Sequence, residues 1–261
     1  MSRIAVGIEY HGAAFSGWQA LPGRLTVQSE LERALSAVAA HAVTVTAAGR
    51  TDAGVHAVQQ IAHFDSDAPR SPHAWLLGTN AQLTPDLALR WVRAVDTRFH
   101  ARHSALRRHY RYLIHNHRAR SALVHARAGW WPQPLDATAM HVAAQALLGE
   151  HDFSSFRDSQ CQSPTPMRRL DAIHVRRHGE FVVVDVTGNA FLHHMVRNIV
   201  GTLVVVGLGK QPPCWVAEVL AARDRNAAGM TAPAAGLYFV GPEYPAEFAL
   251  PAPPAFVFPP V

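Results

Sequence analysis

Apolar positions in the first hundred residues switch between two periods. Residues 4–10 form a short β-rich run. Over 27–40, Leu31, Ala34, Leu35 and Val38 follow helical spacing, and Thr26 stands where an N-cap belongs. Residues 43–46 read Val-Thr-Val-Thr and alternate as a half-buried strand does. A further strand is predicted over 58–65, with Ile61 and Phe64, then a helix over 72–83 and a strand over 87–95. The order is β-α-β-β-α-β, the ferredoxin-like arrangement.

The same order returns in the second half. Residues 108–117 are strand-like, and 136–148 are helical, with Met140, Ala144, Leu147 and Leu148 on one side. Residues 170–178 and 181–187 form a hairpin around His178-Gly179. The stretch 191–206 is a strongly amphipathic helix: Phe191, Leu192, Met195, Val196, Ile199, Val200, Leu203 and Val204 recur at its period. Gly207-Leu208-Gly209 reads as its C-cap. A helix over 214–222 and a strand over 237–240 follow, and the tail from Pro251 is Pro-rich and extended. The expected fold is therefore α+β, two ferredoxin-like (RRM-like) βαββαβ units with mainly antiparallel sheets. The expected units are 1–97 and 98–261, with an active-site cleft between them.

Composition adds little until it is localised. The chain has 261 residues, 49% apolar and 16% charged, enough apolar material for a packed core and the opposite of a disordered composition. Its formal charge is +5, and of the 24 basic residues only Lys210 is not Arg. Codon bias explains that ratio. It does not explain position: residues 90–127 hold ten Arg and one acid, Asp96, a local +9 that leaves −4 elsewhere. Trp91, Phe99, Tyr110 and Tyr112 interleave with these Arg, and Arg with aromatics is the footprint of a nucleic-acid surface. A solvated basic face is the plainer alternative.

Several classes fall away. The first residues carry no secretory signal, and the most apolar run, 199–209, is far short of the ~20 residues of a membrane span. Cys161 and Cys214 show neither metal spacing nor a disulfide framework, which suits a reducing cytoplasm. The 17 His include no His-Glu-x-x-His, and His100-x-x-His103 and His115-x-His117 lack a neighbouring carboxylate or Cys cluster, so no metal is expected. Absent too are Gly-x-Ser-x-Gly, a phosphate-binding loop and Gly-x-Gly-x-x-Gly, so neither a Ser nucleophile nor a nucleotide cofactor is expected. What remains is Gly49-Arg50-Thr51-Asp52-Ala53-Gly54-Val55-His56-Ala57, lying between two predicted strands. Its glycines permit a tight loop, across which Arg50 could orient and ionise the Asp52 carboxylate. An ordinary hairpin connection, with Asp52 capping a turn, is the alternative.

This loop resembles the active-site motif of the tRNA pseudouridine synthase A family. Other segments fall in the same order as in that family: Gly17-Trp18-Gln19, Val27-Gln28, Asn80, Phe99-His100-Ala101-Arg102, Tyr110-Arg111-Tyr112, Phe191 to Asn198, and Thr231-Ala232-Pro233 with Gly236-Leu237-Tyr238. The resemblance runs from about Ile4 to Val240. It implies isomerisation of uridine to pseudouridine at positions 38, 39 and 40 of the tRNA anticodon arm, by a homodimer without cofactor or metal. By position it makes Asp52 the nucleophile, Arg50 an aid to base flipping and Tyr110 a contact of the flipped uracil. It makes Phe99, His100, Ala101, Arg102 and His103, and Gln160, Cys161, Gln162, Ser163 and Pro164, RNA-contacting segments. Arg70 and Arg118 are added as RNA contacts on charge alone, and Arg197 as a candidate partner of the Asp52 carboxylate. His193 and His194 face either the active cleft or solvent.

The chemistry fits these residue types. The C1′–N1 bond breaks, the uracil turns, and a C1′–C5 bond forms, so one carboxylate near the anomeric carbon suffices and no second one is needed to activate water. Attack on C1′, attack on the ring and removal of the C2′ proton all remain open for Asp52. Rival readings are a synthase acting on another structured RNA, a nucleosidase-like hydrolase, and a non-catalytic RNA-binding module. The hydrolase lacks a paired general base, and the binding module lacks the glycine of the RNA-recognition strand signature in Arg108 to Tyr112.

Overall fold

The computed structural model describes residues 1–254 and divides the chain into two compact units, Met1–Leu106 with the stretch from Tyr238, and Arg107–Leu237. The first unit runs β1 (Ser2–Tyr10), α1 (Val27–Ala39), β2 (Thr46–Ala47), β3 (His56–Ser66), α2 (Pro72–Asn80) and β4 (Leu87–Val95). β1 pairs antiparallel with β3 on one side and β4 on the other, and β2 adds antiparallel to β3. Thr26 caps α1 as expected, its side chain accepting from the Ser29 N–H while Ser29 returns the bond. The expected strand over 43–46 forms only at its end. The N–H groups of Val43 and Val45 go instead to Ser36 Oγ and Glu32 Oε1 of α1, so they are lost to any ladder. Likewise α2 stops at Asn80, short of 83, where the Asn80 amide turns outward and bonds both Leu89 backbone groups, tying the helix end to β4.

The second unit runs β5 (Arg107–His115), β6 (Gly129–Trp130), α3 (Ala137–Ala144), β7 (Gly149–Asp152), β8 (Met167–His178), β9 (Phe181–Gly188), α4 (Met195–Gly207) and α5 (Trp215–Ala222). Its sheet has the order β5-β9-β8-β7, antiparallel throughout, with β6 parallel on β5. The β8–β9 hairpin turns at Gly179, which has φ +54°. β6 and β7 escape a periodicity reading because two and four residues are too short to show a period. The expected helix over 136–148 ends at Ala144 and continues as a 3₁₀ turn, Gln145–Leu147. The helix expected from 191 begins only at Met195, because His194 takes a left-handed conformation, φ +60°, that a helix interior does not tolerate. Apolar spacing continued past the true start because Phe191 and Leu192 are also packed.

The last strand, β10 (Leu237–Glu243), pairs in parallel with the start of β3, Tyr238 opposite His56 and Phe239 opposite Ala57. It belongs with the first unit, as do residues 98–106, so the division falls at Leu106 and Arg107 instead of at 97 and 98, and 238 onward changes sides. Packing explains this. Phe99 and Ala101 are fully buried with Ala5 and Ile61, and Trp91, Val95, Tyr244, Phe248 and Leu250 close over them. The extended tail is described to Pro254, and residues 255–261 lie outside the described residues. Among the described residues no helix is long and apolar enough to cross a membrane. Phe99→Ala is expected to cost about 3–5 kcal/mol, since the ring is fully buried; denaturant unfolding measures it, and a loss under 1 kcal/mol would contradict this packing.

Candidate active site

Between β2 and β3 the chain leaves the sheet, and the loop from Gly49 to Val55 carries Arg50 and Asp52. Its backbone is held at few points. Thr51 O accepts from Trp18 N–H at 2.9 Å, and the Val55 N–H closes a turn on Asp52 O at 3.1 Å. Gly17, at φ +92°, makes the Trp18 contact possible, since a Cβ there would stand 3.0 Å from Thr51 O. Gly12 lies closer still: a Cβ would sit 2.0 Å from Val55 O, and its N–H donates to His56 Nδ1 at 3.0 Å. The His56 ring stacks on Tyr238, centroids 4.6 Å apart, so the loop enters β3 at a fixed, buried point. Thr51 is buried, Asp52 half-buried and Arg50 exposed. The loop thus presents a carboxylate and a guanidinium from backbone that glycines let two other segments clasp.

In the second unit, Tyr110 lies on β5 opposite Val186, half-buried, with Phe191 edge-on to its ring at 4.9 Å and 73°. Tyr112, on the same face, is fully buried, and its hydroxyl donates to Pro233 O at 2.8 Å. Arg197, in the first turn of α4, donates from Nε to Ala232 O at 2.8 Å. His193 and His194 stack at 3.9 Å and share Asp158, at 3.4 and 2.7 Å. Burial works against ionisation of Asp158, but the Gln160 N–H and His194 outweigh it and hold the carboxyl below its usual range.

The 99–103 segment is built from beneath. With Phe99 and Ala101 buried, Arg102 and His103 are exposed and His100 half-buried. His63 Nδ1 accepts from Ala101 N–H, and His100 Nδ1 accepts from the Arg102 and His103 N–H groups, each at 3.2 Å. Tyr244 donates to Ala101 O at 2.6 Å. The 160–164 segment is clamped by two Arg outside it: Arg157 Nη2 donates to Cys161 O and Ser163 O, and Arg168 to Ser163 Oγ and Thr165 O. Gln160, Gln162 and Pro164 are exposed, whereas Cys161 and Ser163 are partly covered. Burial raises the Cys161 thiol, but the His193 and Ser163 N–H groups and Arg157 overcome this and lower it below the usual value. Arg70 is exposed and donates to Val38 O, and Arg118 is exposed in the stretch after β5.

The basic window proves to be shared out. Arg111 is bound to Asp185 by the β5–β9 register, at 2.6 Å, Arg107 to Asp171 at 3.2 Å, Arg98 to Asp96 at 3.1 Å and Arg90 to Glu9 at 3.5 Å. Three of these four acids lie outside the window, where a local count of charge cannot see them. Arg93, Arg102, Arg118, Arg120 and Arg127 are also exposed. His115-x-His117 also gains a distant carboxylate: Glu180, in the β8–β9 turn, lies 3.3 Å from His115 and 3.7 Å from His117. That arrangement reads as a pairing rather than a ligand set. A metal on His115 Nε2 would force the ring proton onto Nδ1, which is buried with no acceptor among the described residues.

A helix-backed antiparallel sheet whose Gly-rich connection presents one Arg and one Asp defines an α+β protein with a loop-borne carboxylate. The family model described as tRNA pseudouridine synthase matches residues 7–104 and 143–245. Curated relatives include the tRNA pseudouridine synthase A of Aeromonas hydrophila, 56% identical over 95% of this chain and 93% of its own length. Those of Xanthomonas oryzae and Shigella boydii are 57% and 55% identical, over 96% and 97% of this chain and 98% and 93% of theirs. The chain belongs to the tRNA pseudouridine synthase family.

His63 gives the first unit a pH dependence. Burial, then the charges of Arg3 and His100, lower its pKa from 6.5 to about 4, against the weaker pull of Asp65. The unfolded chain therefore takes up this proton first, so the stability contributed by neutral His63 is complete above pH 6.5 and is lost as pH falls toward 4. His63→Asn, whose Oδ1 can take over the Ala101 N–H, is expected to flatten the stability slope between those pH values. Unfolding curves across that range test it, and an unchanged slope would show that His63 does not titrate there.

Proposed function

We propose that this protein isomerises uridine to pseudouridine in the anticodon arm of tRNA, at positions 38, 39 and 40, with Asp52 as its catalytic carboxylate. The observation that carries this reading is the Gly49–Val55 loop, in which a half-buried Asp and an exposed Arg project from backbone clasped by Gly12 and Gly17. An Asp is ionised at neutral pH without a tuning partner. At the C1′ side of the target it can assist departure of N1, after which the same uracil returns through C5, releasing the C5 proton while N1 gains one. No water is consumed, so one carboxylate serves. The detached ring must be kept while it turns, and Tyr110, braced edge-on by Phe191, offers it an aromatic face. A uridine within a stem must first be extruded, and Arg50 is the exposed group beside Asp52 suited to fill the vacated stack.

Binding is assigned to the exposed atoms of the segments described above. Arg102, His103 and His100 would meet phosphate or ribose, Phe99 and Ala101 holding them from below. Gln160 to Pro164 would act through backbone and amide groups, because Arg157 and Arg168 are engaged in shaping that loop. Arg70 and Arg118 add positive charge at the surface. We further propose that the working form is a cytoplasmic homodimer with no cofactor, in keeping with a reaction that needs no redox or group carrier.

Asp52→Asn is expected to bind tRNA as the wild type does and to form no pseudouridine, measured by release of the C5 hydrogen as tritium from labelled tRNA. Residual turnover above about one thousandth of wild type would remove Asp52 from the reaction. Replacing Arg102 by Ala is expected to weaken tRNA binding and to reduce the slope of log affinity against log salt by about 0.7–0.9, the loss of one phosphate contact. An unaltered slope would return that side chain to solvent.

A further inference from the structure

Two buried polar side chains in the first unit touch the 49–55 loop without belonging to it. Tyr10 is the last residue of β1 and is 3% exposed; Gln60 lies in β3 and is wholly buried. A register shift between Ile8 and Tyr10 breaks the β1–β3 ladder at this point, pairing Ile8 with Gln60 and Tyr10 with Ala57. The Tyr10 hydroxyl thereby reaches Thr51 Oγ1 at 2.8 Å, in a bond buried from solvent. Gln60 Nε2 donates to Gly49 O at 2.8 Å, and its Oε1 accepts from the Ile61 N–H, which fixes which way the amide faces. Gly49 and Thr51, the residues on either side of Arg50, are thus each tied to a buried side chain, one from β3 and one from β1.

We propose that Tyr10 and Gln60 are positioning residues for the reaction, holding Gly49 and Thr51 so that Arg50 and Asp52 leave the loop in fixed directions. This rests on the reading of Asp52 given above. The loop needs such a device. Between Ala48 and His56 it has no sheet ladder, and its backbone is otherwise tied at the Trp18 contact and the Asp52–Val55 turn among others. A side-chain anchor fixes the backbone without placing a polar group beside the substrate. Tyr10 suits the role because burial keeps its phenol protonated, well above the usual tyrosine range, even though Thr51 and Gln60 pull the other way. The hydroxyl therefore keeps its proton across the working pH range and can pair with the Thr51 hydroxyl whichever of the two donates. Loss of the anchor loosens the reacting carboxylate, and a displacement of about 1 Å at a reacting group costs on the order of 100-fold in rate.

Tyr10→Phe removes one oxygen and keeps the ring, so the fold is retained. Its single-turnover rate on tRNA is expected to fall about 10- to 100-fold with an unchanged tRNA Kd. Thr51→Val is expected to do the same, and the double variant to be no slower than the worse single one, because both delete one bond. Gln60→Leu should slow the step similarly through Gly49. Ser155→Ala deletes a buried hydroxyl of the second unit, bonded to Val219 O at 2.6 Å, and should lower stability while leaving turnover intact. Amide hydrogen exchange provides an arm independent of activity. In Tyr10→Phe, exchange at residues 50–55 should quicken while the central β1–β3 amides keep their protection. Wild-type turnover in Tyr10→Phe, losses that multiply in the double variant, or unaltered exchange in the loop would each overturn the proposal. If the wild-type protein itself forms no pseudouridine, the reading of function fails, and the exchange experiment still decides whether Tyr10 anchors the loop.

Discussion

Strand β3 is paired with β1 along one edge and with β2 and β10 along the other, and every one of its residues but Asp65 is buried. A strand enclosed on both faces must pair or pack each polar group it carries, and β3 carries an unusual number. Gln59 bonds Trp91 and the Pro251 carbonyl, Gln60 bonds the active loop, His56 receives the Gly12 N–H, and His63 receives the Ala101 N–H. Leaving any of these unmade would cost about 1–3 kcal/mol. The same requirement that stabilises the strand therefore orders the segments around it. The 49–55 loop at its start and the 99–103 segment near its end are both held by side chains of β3.

This links stability to chemistry in the first unit without asking the loop to be rigid by itself. Glycines at 12 and 17 bring neighbouring backbone within contact, and buried side chains supply the bonds that a ladder would have supplied. In the second unit the corresponding economy is ionic. Asp185 takes both Arg111 and Arg176, and Arg157 and Arg168 hold the 160–164 segment by its own carbonyl and hydroxyl groups. Those at the surface, such as Arg176–Asp185, contribute little to stability. They settle instead which Arg can turn to an anionic partner and which are already engaged.

Much of this was legible in the chain itself, because the signals were local. Thr26 before a helical stripe, the strand-like run at 87–95, the hairpin at Gly179 and the clustering of Gly, Arg and Asp at 49–54 each lie within a few residues. The places where the reading slipped share one cause, a distant partner claiming a local group. Glu32 and Ser36 take the N–H groups of the expected strand at 43–46, Asn80 leaves its helix for Leu89, and His194 breaks a helix whose apolar pattern continued through it.

The sequence by itself determined the βαββαβ series of the first unit, the family and the loop singled out as the candidate site, since these depend on residue types at short separations. Tertiary structure alone decided that Phe99 and Ala101 lie beneath the surface of the segment they name, that β10 closes on β3, and that Tyr10 and Gln60 bond Thr51 and Gly49 of the 49–55 loop. It also decided how far the +9 window is neutralised, through Asp171, Asp185 and Glu9. The physical reason is the same in each case. Burial and pairing depend on which residues far apart in the chain come within a few ångströms, and strand register sets that, whereas composition does not.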